Sequence, residues 1–350
     1  MTRRRLVVAA ALLALSGGAY AFVRETTAFG DPASGRCLWW GRRQVSLKVN
    51  ATSAANPPGG RAACLTCTPC QDALAAEAQV TAALTTWNAA TRTGDSQACT
   101  DFGFVDGGTT DQTELGNDGV NLVVFRTGWC FSPSVTAPAD PCRFTPGACA
   151  ARYNCWEHDA GTTIGLTTTT YSTGTGEILD ADIEFHGWDG GSSGDGSYLT
   201  CGSPSDLACR PAYYTPPPPT GCNAVDVASL ALHEAGHVLG LDHTCQYLAP
   251  YGGCPAGSVM QPTMAEGSTR RALVDDDVAG ICTIYPRGGA TLTCGTAAVA
   301  PPKHGGGCAT GEGAGLLALG VAMAALLRPG KRRSGAHQVH LPGRGSDGVS

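Results

Sequence analysis

Residues 233–243 read His-Glu-Ala-Gly-His-Val-Leu-Gly-Leu-Asp-His, and that spacing leaves the chain few ways to fold around it. On a helix His233 and His237 stand one turn apart on one face, so both imidazoles can meet a single ion. Asn223 is a candidate cap with Asp226 three residues on, and Leu232, Ala235, Gly236 and Leu239 fall on one packing side. The helix is expected to stop at Gly240, where a left-handed turn swings the chain back and delivers His243 from a direction the helix could not supply. Three neutral ring nitrogens leave a fourth place for water. A zinc ion there lowers the pKa of that water, and Glu234, projecting beside the histidines, can accept its proton and pass it to a leaving amine. The bland alternative, core histidines with no ion, does not account for five fixed positions.

Composition narrows the setting. A chain of 350 residues with 43% hydrophobic and 15% charged residues folds around an ordinary core, and its 48 Gly and 22 Pro call for long loops. Residues 22–307 carry 15 Lys and Arg against 27 Asp and Glu, a formal balance of −12, which argues against a nucleic-acid partner. Arg3, Arg4 and Arg5 precede an apolar run over 6–15 and a small-residue stretch ending at Ala21. This layout predicts a signal peptide over 1–21, recognised by signal peptidase, and an exported chain; the alternative, a membrane anchor, is too short to span. Seventeen cysteines suit that compartment as disulfides, Cys64, Cys67 and Cys70 included, with the pairing left open. Cys308 stands apart in a Gly-rich stretch, leaving 16 to pair within the body.

The linker over 297–307 has too few apolar groups to pack, so folding is expected to end before it. Cys308, an apolar stretch over 314–327 and a basic cluster of Arg328, Lys331, Arg332 and Arg333 follow. This layout over 308–333 resembles the myxobacterial C-terminal sorting signal. The resemblance implies cleavage near Cys308 by a sorting protease and attachment to the cell envelope, although 17 further residues follow the basic cluster. A plain membrane tail is the alternative.

Within the body, Trp39-Trp40 and the alternation of Val45, Leu47 and Val49 predict a first strand. Leu74, Val80, Leu84 and Trp87 predict a helix over 71–92, and residues 120–125 a short buried strand. The segment 130–155 reads as a Pro- and Cys-rich loop. Two strands over 163–170 and 178–185 turn at Gly174-Thr175-Gly176. Residues 187–222, with Pro216 to Pro219 in a row, read as a further loop.

The segment 233–243 resembles the zinc motif of the metzincin metallopeptidases. Downstream, Ser258-Val259-Met260-Gln261-Pro262 resembles their Met-turn, with Met260 preferred to Met264 because Pro262 follows it by two. Gln261, where astacin- and serralysin-type members carry Tyr, and residues 273–285, which resemble a closing helix capped by Asp275, point to the matrixin branch. The resemblance covers about residues 36–288. It implies an α+β fold: a zincin catalytic domain with a twisted mixed sheet and three main helices, here rich in disulfides. It also implies one catalytic zinc on His233, His237 and His243, Glu234 as general base, a cleft edge near 165–170 that pairs with extended substrate, and a side-chain pocket lined by Pro262, Thr263 and Met264.

Departures accompany the resemblance. His243 and Met260 are 17 residues apart, with Cys245 and Cys254 expected to pair across the insert. Upstream of the motif only His158 and His186 could serve a structural zinc, and they read better as surface histidines. Residues 189–195 could hold calcium but read as a solvated turn, so no calcium residues are assigned. Cys37 is expected in a disulfide, not on the metal. The combined expectation is a secreted, surface-attached zinc endopeptidase acting on protein or peptide substrates. The alternatives are an adhesin or binding module with a structural metal site, and a zinc amidase acting on cell-wall peptides.

Overall fold

The structure is a computed structural model, and it describes residues 22–28, 35–50, 73–158, 163–187, 199–201, 225–244, 255–264, 268–294 and 332–340. The expected signal peptide, the linker, Cys308, the apolar stretch over 314–327, the segment 189–195, the 64–70 cysteines, and Cys245 with Cys254 lie outside the described residues.

Chain order runs β1 (Val23–Arg24), β2 (Trp39–Trp40), β3 (Gln44–Asn50), α1 (Ala73–Asn88), β4 (Gly103–Thr110), β5 (Asn121–Thr127), α2 (Ala148–Tyr153), β6 (Thr163–Ser172) and β7 (Glu177–Gly187). Then come β8 (Leu199–Thr200), β9 (Val225–Asp226), α3 (Val227–Val238), β10 (Leu241–Asp242), α4 (Asp275–Ile284) and β11 (Arg332–His340). One sheet carries the order β11-β6-β7-β5-β3-β4, with β2 added alongside β7. Its β3–β4, β3–β5 and β5–β7 pairs are parallel, whereas β6 runs antiparallel to both β7 and β11, so the sheet is mixed.

Alternation in β3 buries Val45, Leu47 and Val49 and leaves Gln44 and Ser46 outward, the half-buried strand that the sequence predicts. The α1 helix is shorter at both ends than 71–92, and it packs Ala76, Val80, Ala83, Leu84 and Trp87 into the main core. Trp87 also donates its indole N–H to the Leu232 carbonyl at 2.8 Å, which ties α1 to α3. The β4 strand has no counterpart in the sequence reading. Its GFVDGGTT run interrupts its strand formers with an aspartate and glycines, and its pairing with β3 supplies what propensity does not.

The strip over 130–155 is more ordered than a loop. It holds a 3₁₀ turn at Pro141–Phe144 and the α2 helix, pinned by the Cys130–Cys155 and Cys142–Cys149 disulfides. Among the described residues Cys37–Cys294 and Cys99–Cys282 are also bridged, so Cys37 serves as a disulfide partner. Together with the segment over 111–122, this strip covers the face of β7 that carries Asp180, Asp182 and Glu184. Arg126 donates to Glu184 at 2.7 Å, to the Ala150 carbonyl at 2.9 Å and to the Thr113 carbonyl at 2.8 Å. His186 is buried, stacked on Trp156 with ring centroids 4.6 Å apart, which corrects its reading as a surface histidine. His158 is half-buried and lies 2.9 Å from Glu184.

Candidate metal centre

Asp226 caps α3, not Asn223 as the sequence suggests. Its carboxylate accepts the Ser229 N–H at 3.0 Å and is paired with Arg271, so the first turn of the helix is held by a buried, neutralised acid. At the other end the Val238 and Leu239 carbonyls accept from the Trp40 indole N–H at 2.7 Å and the Tyr285 hydroxyl at 3.0 Å. The helix therefore stops where the sequence predicts. Gly240 then takes φ +85°, and a Cβ there would lie 2.6 Å from the Leu38 carbonyl, so both conformation and space require glycine.

This turn brings His243 to the other two histidines. The Nε2 atoms of His233 and His237 are 3.1 Å apart, and each lies 3.3 Å from Nε2 of His243. All three side chains are buried. Nδ1 of His233 faces the Val259 carbonyl, and Nδ1 of His237 faces the Leu241 carbonyl at 2.8 Å. A carbonyl only accepts, so each Nδ1 carries the proton and each Nε2 presents a lone pair. Lone pairs directed toward one point in a buried site favour a cation between them, and three imidazole donors suit zinc.

Glu234 is fully buried beside the trio. Thr167 of β6 donates its hydroxyl to Oε2 at 2.6 Å, and a Cβ on Gly165 would meet Oε1 at 2.4 Å, so β6 lies directly against this carboxylate. Met260 lies beneath α3, where a Cβ on Gly236 would fall 2.2 Å from its sulfur. The turn that holds it is clamped by Asp277 of α4, which accepts from the Ser258 hydroxyl at 2.7 Å and the Val259 N–H at 3.2 Å. Asp277 also accepts the Val274 N–H at 2.9 Å, so Asp277 does the capping expected of Asp275. Burial pushes the Asp277 carboxyl up, against the pull of these donors. Of the expected pocket residues, Met264 is buried in the main core, Pro262 is half-buried and Thr263 is exposed.

Two neighbours of the site escape sequence reasoning. Thr167 is one of a run of four threonines, with nothing local to mark it. Glu25, whose Oε1 lies 3.1 Å from Nδ1 of His237, is 212 residues from its contact.

Residues 155–286 match the sequence model of the family described as Matrixin. Over these residues the chain is matrixin-like. Two Arabidopsis thaliana proteins, Metalloendoproteinase 2-MMP and Metalloendoproteinase 1-MMP, are each 40% identical to it over 62 residues. The shared stretch is 18% of this chain but only 14% and 15% of those relatives, so most of each relative has no counterpart in the alignment. No solved structure matches the chain significantly. The matrixin-like span contains β6, β7, α3, the three histidines, Met260 and α4. The amino-terminal strands and α1, which complete the core around it, lie outside.

Proposed function

We propose that the chain is a secreted, surface-attached zinc endopeptidase that hydrolyses peptide bonds in protein or peptide substrates. The convergence of three buried Nε2 atoms beside the buried Glu234 carboxylate carries this reading. His233, His237 and His243 would hold the ion and Met260 would floor it. Bound zinc supplies a Lewis acid that acidifies water and polarises a carbonyl. Glu234 takes the proton from the attacking water and returns it to the departing amine, and the Thr167 hydroxyl keeps that carboxylate oriented. Substrate would lie extended along β6, with Pro262, Thr263 and Met264 beside its side chain.

β11 occupies that edge in the structure, pairing antiparallel from Ser172 to Thr163. The edge thus accepts an added strand, and substrate must take the place of β11. Cleavage near Cys308, with envelope attachment by the sorting machinery, would carry β11 away and open the edge. The reading is tested by digesting a peptide library with the zinc-loaded chain and identifying new termini by mass spectrometry. Cleavage that chelation abolishes and zinc restores supports it; intact peptides under all conditions contradict it, leaving the adhesin reading. Cleavage confined to cell-wall peptides would point to the amidase.

A further inference from the structure

We propose that Glu25 is a positioning residue for the histidine site, a buried carboxylate that fixes the His237 ring and offsets the charge of the bound ion. The inference rests on the three histidines holding zinc and adds a role for the amino-terminal strand, which lies far outside the matrixin-like span.

Glu25 is held from several sides. β1 pairs antiparallel with β10, Val23 opposite Asp242 and Arg24 opposite Leu241, so the amino terminus braces the short segment between His237 and His243. The Glu25 N–H donates to the Gly240 carbonyl at 3.0 Å, and its own carbonyl accepts from the Leu38 N–H at 2.8 Å. Arg24 reaches past it to the Leu38 carbonyl at 2.6 Å and the Leu292 carbonyl at 3.1 Å. Thr26 bridges to Cys37, which is disulfide-bonded to Cys294. The backbone is fixed, and the fully buried side chain is aimed at Nδ1 of His237.

That proton is shared between the Leu241 carbonyl at 2.8 Å and Glu25 at 3.1 Å. The carbonyl alone would set the tautomer. The carboxylate adds a negative charge, which makes the ring a stronger donor toward a cation on its other nitrogen. Zinc carries two positive charges, and Glu25 sets a buried carboxylate against one of its ligands. Burying a carboxylate is costly unless a charge offsets it, so the site gains from Glu25 chiefly when the ion is bound.

A merely structural side chain would behave differently, and Glu25→Gln separates the two. It keeps the shape and removes the charge. In the full-length chain at neutral pH, competition against a chromophoric chelator should show zinc affinity falling about tenfold or more. Thermal unfolding of the metal-free variant should stay level or rise. Glu25→Met gives the same readout should the Gln variant fail to fold. Unchanged zinc affinity in both variants, or metal-free stability lost with affinity intact, would overturn the role and leave the zinc reading standing. Failure of the wild-type chain to take up zinc would overturn both.

Discussion

The two faces of the central sheet bury carboxylates to opposite ends. Gly165 and Thr167 of β6 register with Phe185 and Ile183 of β7, and on that side the buried acid is Glu234, set against a hydroxyl and three imidazoles. Leu166 registers with Glu184, and on that other side Asp180, Asp182 and Glu184 are enclosed by the strip over 111–158. There the acids are absorbed by the fold. Asp182 accepts the Leu122 and Gly116 N–H groups at 2.9 Å each, Asp180 accepts the Gly119 N–H at 3.0 Å, and Glu184 is paired with Arg126. Burial pushes the Glu184 carboxyl up, but Arg126 and His158 outweigh it and hold it below the ordinary carboxylate range. A buried acid satisfied by amides and a guanidinium organises a loop, whereas one placed beside metal-binding nitrogens is available to move protons.

Substitutions on the two faces should separate accordingly. A large stability effect is expected from Arg126→Ala, which leaves Glu184 with His158 alone as a charge partner among the described residues and releases the carbonyls of Ala150 and Thr113; loss of about 3–5 kcal/mol in denaturant unfolding is expected. The zinc site of the folded fraction should be untouched. Thr167→Val should do the reverse. Losing the hydroxyl beside Glu234 should lower kcat/KM about tenfold with unfolding unchanged within about 1 kcal/mol. A Thr167→Val variant with full activity would show that Glu234 needs no such partner.

A third test concerns pH. Burial first, and then the charge of Asp180, pushes the Asp182 carboxyl up to about 8, while burial raises Asp180 to about 6. In the unfolded chain both ionise near the ordinary value of about 4. The folded state therefore holds more protons between these limits, so the contribution of Asp182 is complete at low pH and declines as pH rises toward about 8. The stability of the wild-type chain relative to Asp182→Asn should fall across that window and level off above it. A difference that grows with pH would show that Asp182 is ionised in the fold.

What was legible in the sequence follows the same division. The histidine spacing, the stop at Gly240 and the alternation of β3 depend on neighbours in the chain, and periodicity exposes them. The Asp226 cap is three residues from the expected one because Asn223 offers the same chemistry, and the Arg271 partner that pairs with Asp226 is 45 residues away. The burial of His186 depends on Trp156, and the roles of Thr167 and Glu25 depend on contacts between distant segments. The β4 strand was hidden because its glycines and aspartate argue against the conformation that pairing with β3 imposes.

The proposed role of Glu234 in moving protons is tested most directly by Glu234→Ala. Zinc content and peptide turnover should be measured on the same preparation. The substitution removes an acceptor but no ligand, so one zinc per chain should persist while turnover falls about 10²-fold or more. Turnover at the wild-type level with zinc retained would contradict the account and require a different base.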